Sequence, residues 1–517
     1  MRKIMKFLKR IHLHPFIIGI FPVISLFAHN QSQLEPGAPW RSLAIVLGAT
    51  AIVFGLLRWL SKDWTVAGFI TSYASVLFFV YGPIKNVMPT ENFHIASINL
   101  GTGAFFLPLW LLVLSFGIWL IVRKIPRSET SLLIFNCIAL STLILPLISI
   151  TSYAISHHNA SATTQTNTPT NTLVRQGSTA LPDVYYIILD GHGRSDTIER
   201  EFGYDNSAFL EALRKQGFYV AACSTSNYSN TIMSMTSSLN MNYLSVLGKG
   251  FVAGNQDDSE AVNLIKNNAV RQYFHQLGYA FVSFQSDFPF LNFTNSNVYI
   301  PFSGQKSIQP FELLLIQQTP AIYINAIAKI AGDQFLPETM AKKERYNHTL
   351  FMLDELTRLP TSVQSPKFVY AHLIIPHVPY IFGPNGEFNG GENLPDVPGY
   401  PDQVQYIDSR IPKIVQEIIS RSKTPPVIII QGDHGFYETG GVQKRMPILN
   451  AYYFPGANSK KLLYPTITPV NTFRAVFNTY FNGQFDLLPD QNYYSPDKND
   501  IYNVTFYQNQ SIECHPK

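Results

Sequence analysis

Residues 182–196 read PDVYYIILDGHGRSD. The run 184–189 is apolar or aromatic throughout, so it does not fit a half-wet strand, in which every second side chain meets water. It reads as a strand buried on both faces, as in parallel sheets covered by helices. Pro182 precedes the run, and Gly191 and Gly193 follow it. Asp190 comes directly after its last residue, so the strand ends by presenting a carboxyl. In open α/β sheets the ligand site lies beyond the carboxyl ends of the strands.

Working outward, the same design recurs. Residues 427–431, VIIIQ, are followed by GDHG with Asp433 and His434. Residues 368–374, FVYAHLI, contain His372 and lead through IPHVPY to His377. Further strands read at 218–222, 279–285 and 449–454, with helices at 206–216, 259–276, 340–358 and 408–422. This alternation predicts an open, mostly parallel α/β sheet with helices on both faces. Residues 226–240, SNYSNTIMSMTSSLN, follow the second strand and end in a helix carrying Thr231.

Upstream the texture changes. The 517-residue chain is 46% hydrophobic and only 14% charged. Five apolar segments, 15–30, 42–60, 64–84, 104–123 and 131–152, account for the imbalance. A bilayer core asks for about 20 apolar residues per helix, and the last four segments meet this. The first is shorter, contains Pro22, and has a cleaved signal peptide as its rival reading. Arg2, Lys3, Lys6, Lys9 and Arg10 precede the first segment, Arg58 and Lys62 flank the second loop, and Arg123, Lys124 and Arg127 lie in the fourth. Positive residues stay cytoplasmic, so the N-terminus is inside and, after five spans, the remainder is outside. Residues 156–181 are rich in Ser, Thr, Asn and Gln and read as a flexible linker; His157 and His158 belong to it. The expected organisation is a transmembrane domain over 1–155, the linker over 156–181 and an extracytoplasmic catalytic domain over 182–517. With a net charge of +4 and no long basic run past the N-terminus, nothing points to nucleic acid. Cys223 and Cys514 either pair in an oxidising compartment or stand as separate thiols, since sequence does not fix connectivity.

Asp190, Asp433, His434 and Thr231 together offer two carboxylates, an imidazole and a hydroxyl, a set suited to one divalent ion such as zinc or manganese. Such an ion lowers the pKa of a hydroxyl nucleophile, and a helix N-terminus at Thr231 favours an incoming anion. Taken singly, each residue has a plainer reading: Asp190 as a cap or turn former, Thr231 as an N-cap, His377 as a turn residue. Gly191 and Gly193 lack the rest of any nucleotide-loop pattern. The order carries the weight: strand–Asp, hydroxyl helix, His-x4-His, strand–Asp-His-Gly.

That order resembles the alkaline phosphatase/sulfatase superfamily, in particular its membrane branch of lipoteichoic acid synthases and phosphoethanolamine transferases. The resemblance implies that Asp190, Asp433 and His434 hold the metal and that Thr231 is both ligand and nucleophile, with Ser229 as its rival. HLIIPHVPY at 372–380 is similar to the transferases' substrate histidines. It implies His377 as a proton donor and His372 as a substrate-binding residue. Arg445, which opens the following strand segment RMPILNAYYFPG, joins His372 in that role. The implied activity is transfer of a phospholipid headgroup phosphate, of phosphoglycerol or phosphoethanolamine type, to a glycan or lipid acceptor of the cell envelope. The implied location is a bacterial inner membrane. Hydrolysis of phosphate or sulfate esters at the same site, and a non-catalytic sensor or assembly role, are the alternatives. Two departures stand out. Asp190 occupies a position where the transferases generally carry Glu, and no C/S-x-P-S-R string lies near Thr231, which disfavours sulfate ester hydrolysis. Oligomeric state is not readable.

Overall fold

The computed structural model describes residues 2–31, 34, 37–87, 93–95, 98–100, 102–163, 181–303, 310–321, 337–389, 399–436, 441–456, 460–497, 499–508 and 512–516. The chain divides into two compact units. One comprises Met1–Thr163 with Lys306–Ala341, and the other Thr164–Gln305 with Lys342–Lys517. The return of Lys306–Ala341 to the first unit has no counterpart in the sequence reading.

In the first unit, helices cover each apolar segment: His14–Asn30, Pro39–Ser61, Trp64–Val87, Thr102–Lys124, and Glu129–Thr142 continued by Ile144–Thr163. Among the described residues, Pro39–Ser61, Trp64–Ile84 and Glu129–Ile155 are long and apolar enough to cross a membrane, and His14–Asn30 is a shorter apolar helix. Their outward faces are apolar, with Trp59 75% and Leu145 77% exposed, as lipid-facing helices require. The interruption at Leu143 precedes Pro146, whose missing N–H cannot complete the helical ladder. Asn136 is buried in an otherwise apolar helix because it satisfies the chain's entry into the unit. Its oxygen accepts from Leu13 N and His14 N at 3.2 and 2.8 Å, and its amide donates to Leu8 O and Ile11 O, both at 2.7 Å. The last helix runs to Thr163, into the segment read as linker; 164–180 lie outside the described residues.

The second unit is built on a seven-stranded sheet. We number its strands β1 (Val184–Leu189), β2 (Tyr219–Val220), β3 (Ala280–Phe284), β4 (Val298–Ile300), β5 (Lys367–Leu373), β6 (Val427–Gln431) and β7 (Asn450–Tyr453). The spatial order is β2-β7-β6-β1-β5-β3-β4. Pairing is parallel from β6 through to β4, and β7 is antiparallel to both its neighbours, so the sheet is mixed. The β1 run is buried throughout, and its side chains part by alternation. Val184, Tyr186 and Ile188 enter one core with the Thr231–Asn240, Ser259–Lys266, Ala269–Gln276 and Pro469–Tyr480 helices. Tyr185, Ile187 and Leu189 enter another with the Ser207–Lys215, Pro337–Ser362 and Gly399–Arg421 helices. Helices therefore cover both faces, which is why β1 shows no polar alternation. The single helix expected over 259–276 is two, because Asn268 caps the second by accepting from Arg271 N. Strand β4 and the antiparallel hairpin Gln491–Tyr494/Thr505–Gln508 were not legible in the sequence.

Candidate metal and phosphotransfer site

The register places Ile188 beside His372 on one side and beside Gln431 on the other. Asp190, His372 and Asp433 therefore emerge side by side at the carboxyl end of the sheet. Thr231 is the first residue of the Thr231–Asn240 helix, with Asn230 as N-cap accepting from Met233 N at 3.0 Å. The side chains meet. Thr231 Oγ1 lies 3.2 Å from His434 Nε2, and His434 Nε2 lies 3.5 Å from Asp190 Oδ1 and 3.4 Å from Asp433 Oδ2. His372 Nε2 is 4.0 Å from Asp190 Oδ2. Among the described residues, two sets of ligand atoms are compact enough to hold an ion, Asp190/His377/His434 and Asp190/His372/Asp433, and they share Asp190.

Backbone contacts hold this cluster. Ser226 Oγ and Ser234 Oγ both donate to the Asp433 carbonyl at 2.6 Å, tying the Asp433 peptide to the Thr231 segment. Gly191 N donates to Asp433 Oδ1 at 3.1 Å. The glycines of the GDHG string are spatial necessities. A Cβ at Gly432 would sit 2.4 Å from His192 O, and one at Gly435 2.6 Å from the carbonyls of Lys444 and Pro447. Arg445 Nε donates to Ser229 O at 2.5 Å, and its Nη1 to Gly435 O at 3.4 Å. The Ser229 hydroxyl accepts from Ser495 N at 2.9 Å.

The electrostatics are those of a cation site. Burial, then the charge of Asp433, push the Asp190 carboxyl well above its ordinary range. Burial opposes ionisation of Asp433 too, but His434, His372, the Gly191 N–H and the Thr231 hydroxyl outweigh it and hold Asp433 below the ordinary value. Without a cation the two carboxyls thus cannot both ionise cheaply, and the pair titrates as a unit. Burial likewise lowers His372 and His377 to about 4 and His434 to about 3, with Arg445 reinforcing the shift at His377 and His434. Both oxygens of Asp190, Oδ2 of Asp433 and both ring nitrogens of His372 are buried without a hydrogen-bond partner. Buried polar atoms are normally paired, and a divalent ion with oxygen and nitrogen preference would satisfy these. The residues present therefore fit the ion that the motif order implies.

The ring orientations follow from their second nitrogens. His434 Nδ1 donates to Gly435 O at 2.9 Å and His377 Nδ1 to Val378 O at 2.8 Å, which leaves Nε2 of each as the lone-pair atom.

Sequence reading missed several supports. His192 Nε2 meets Asp408 Oδ1 at 2.8 Å, and Tyr400 Oη donates to Gly191 O at 2.8 Å, so the Asp190 loop is braced from the Gly399–Arg421 helix. His192 stands inside the quoted motif and could have been singled out; Asp408 and Tyr400, on a helix face, could not. Arg345, on the Pro337–Ser362 helix, donates to Val378 O at 3.0 Å and lies 3.4 Å from Asp287, and its charge acts on Asp190 and His377. No motif marks it. Cys223 and Cys514 are disulfide-bonded.

No protein-family model matches the chain. No curated protein matches it in sequence. Among solved structures it is similar to the C-terminal periplasmic domain of EptC from Escherichia coli in complex with Zn, at 10% identity and TM-score 0.40, covering 66% of this chain and 96% of that one. It is also similar to the integral membrane lipooligosaccharide phosphoethanolamine transferase A of Neisseria meningitidis, at 12% identity and TM-score 0.38, covering 92% of this chain and 96% of that one. A third similar structure, from Bacteroides thetaiotaomicron and described under metabolism of multiple glycosaminoglycans, has 11% identity and TM-score 0.35, covering 63% of this chain and 83% of that one.

Proposed function

We propose that this chain is a metal-dependent phosphotransferase of the alkaline phosphatase/sulfatase type in a bacterial inner membrane. Its five apolar segments span the bilayer with the N-terminus cytoplasmic, and its catalytic unit lies outside. It moves a phospholipid headgroup phosphate, of phosphoglycerol or phosphoethanolamine type, through a phosphothreonine to an envelope glycan or lipid. The observation that carries the reading is the Thr231 hydroxyl at the start of a helix, 3.2 Å from His434 Nε2 and beside buried carboxylate oxygens that lack a hydrogen-bond partner.

Asp190, Asp433, His434 and Thr231 would hold one zinc or manganese ion, which when bound lowers the hydroxyl pKa and offsets charge on the phosphate. Thr231 Oγ1 forms the new bond to phosphorus while the bond to the diacylglycerol oxygen breaks. The Thr231 proton ends on that oxygen, and His377 Nε2, the lone-pair atom of its ring, relays it. In the substrate-free protein burial keeps His377 neutral; the negative phosphodiester alongside favours its protonated form. Arg445 and His372 steady the phosphate, with the amides at the helix start. In the second half the acceptor hydroxyl loses its proton to the same relay, its oxygen takes the phosphate, and Thr231 regains its hydrogen.

The test is intact-mass analysis of the full-length protein in detergent with labelled phospholipids and zinc or manganese. A headgroup-phosphate adduct on Thr231 with diacylglycerol released is expected. Release of free headgroup phosphate to water, with no need for an acceptor, would replace transfer by hydrolysis. Loss of the adduct in Ser229→Ala but not in Thr231→Ala would overturn the nucleophile.

A further inference from the structure

Residues 512–515 are tied at three places, and each belongs to a different segment of the site. Cys514 is bonded to Cys223, at the start of the segment that ends in Thr231. Glu513 N donates to Gln443 Oε1 at 2.9 Å, and Gln443 lies in the one-turn helix Val442–Arg445 that sets Arg445. The Glu513 carbonyl accepts from Arg194 Nη2, and His515 N donates to Asp196 Oδ2 at 2.9 Å. Arg194 and Asp196 follow Asp190, as the N-cap and in the first turn of the helix Ser195–Phe202 that closes its loop. They are buried and joined by two hydrogen bonds, at 2.7 and 2.9 Å. Arg194 also donates to Ser224 O at 3.3 Å, which closes the circuit back to the residue after Cys223.

We propose that residues 512–515 form a clasp that fixes the spacing of the Asp190, Thr231 and Arg445 loops, with Arg194 and Asp196 as positioning residues. What the clasp serves rests on the phosphotransferase reading; the clasp itself does not. Apart from the Cys514 disulfide, the tail reaches the Asp190 and Arg445 segments through backbone groups, Glu513 N, Glu513 O and His515 N, so it behaves there as a strap. Its partners on the Asp190 loop are a buried ion pair, which is costly to leave partly satisfied and so holds the strap at a defined depth. The disulfide joins residues 291 apart in sequence, so the strap stays close to its loops when its hydrogen bonds open. Loops otherwise sit at the low end of local stability, whereas phosphotransfer needs the nucleophile and its ligands held within a fraction of an ångström.

The experiment compares three forms of the full-length protein in detergent: wild type, a chain ended after Ile512, and Cys514→Ser. Amide hydrogen exchange and the rate of adduct formation at saturating phospholipid are measured on each. In the shortened chain, exchange is expected to rise together in 191–197, 224–231 and 442–446 while β1, β5 and β6 keep their protection. The adduct rate is expected to fall roughly 100-fold, with a smaller change in the half-saturating lipid concentration. Cys514→Ser keeps the backbone hydrogen bonds and is expected to fall between the other two in both readouts. A rise confined to 191–197 would mean that the tail only covers the ion pair, and would overturn the proposal; so would an unchanged adduct rate. If the shortened chain does not fold, exchange measured on folded wild type before and after a dithiol reductant gives the same decision. Joint loosening of the three loops in a protein whose wild type forms no adduct would overturn the phosphotransferase reading and leave the clasp standing.

Discussion

Strand β1 has a buried carboxyl just beyond each of its ends, and the two are treated in opposite ways. Asp183, at the amino end, is fully engaged: Lys367 Nζ donates to it at 2.6 Å, Ser365 Oγ at 2.9 Å and Lys367 N at 3.1 Å. Lys367 is itself completely buried and has a further acceptor in Val363 O. Asp190, at the carboxyl end, is as deeply buried, yet neither of its oxygens has a hydrogen-bond partner, and a second carboxyl and two histidines crowd it. One end of the sheet is closed by a matched ion pair that serves the fold. The other collects ligand atoms whose burial the proposed ion and anionic substrate would offset. A buried charge therefore indicates function only when its partners are missing from the chain.

The largest effect that would sharpen this contrast is on turnover. Thr231→Ala should lower transfer by roughly 10⁴-fold or more while the thermal midpoint of the metal-free protein stays within its error. A stable protein with residual adduct would move the nucleophile elsewhere. The opposite end should respond in the opposite way. Lys367→Met leaves Asp183 buried without its cation and should cost about 3–5 kcal/mol of stability, with the metal affinity of the surviving folded fraction unchanged. Denaturation in detergent with and without metal separates the two outcomes, and a loss of affinity matching the loss of stability would erase the distinction between the ends. Chelation comes next. At metal 100-fold above its dissociation constant, removing it should destabilise wild type by about 2.7 kcal/mol and leave an Asp433→Asn variant nearly unaffected.

The smallest effect is the pH dependence of the metal-free protein, and its sign differs between the groups. Asp190 is raised, so its contribution is present at acid pH and is lost as pH rises through its folded value. His372 and His377, lowered from 6.5 to about 4, contribute above about 6.5 and lose that contribution as pH falls toward about 4. Asp190→Asn should remove the loss of stability that sets in as pH rises above the ordinary Asp range, about 1.4 kcal/mol for each pH unit over which the Asp titrates, and leave the histidine contribution in place. An unchanged pH profile in that variant would show that Asp190 is not the group left unsatisfied.

Much of this molecule could be read without coordinates. The apolar run 184–189 set the central strand and its burial on both faces, because a strand with no polar side has no face to give to water. The apolar segments foretold helices for the same reason. Asp190, Asp433 and His434 were legible because they lie within three residues of a strand's end, and local order suffices to put such residues at the sheet's edge. Other features needed three dimensions. That Thr231 meets His434 depends on a helix packing onto one face of the sheet. That Arg345, His192 and Asp408 brace the site depends on helix faces that carry no motif. The pairing of Cys223 with Cys514, and the tail that the bond holds against the site, join residues that the sequence separates by most of the second unit. Sequence decides what each short segment can be, since propensity and patterning act over a few residues. Which segments become neighbours is settled only when the whole core is packed, and the chemistry of the site resides in those neighbours.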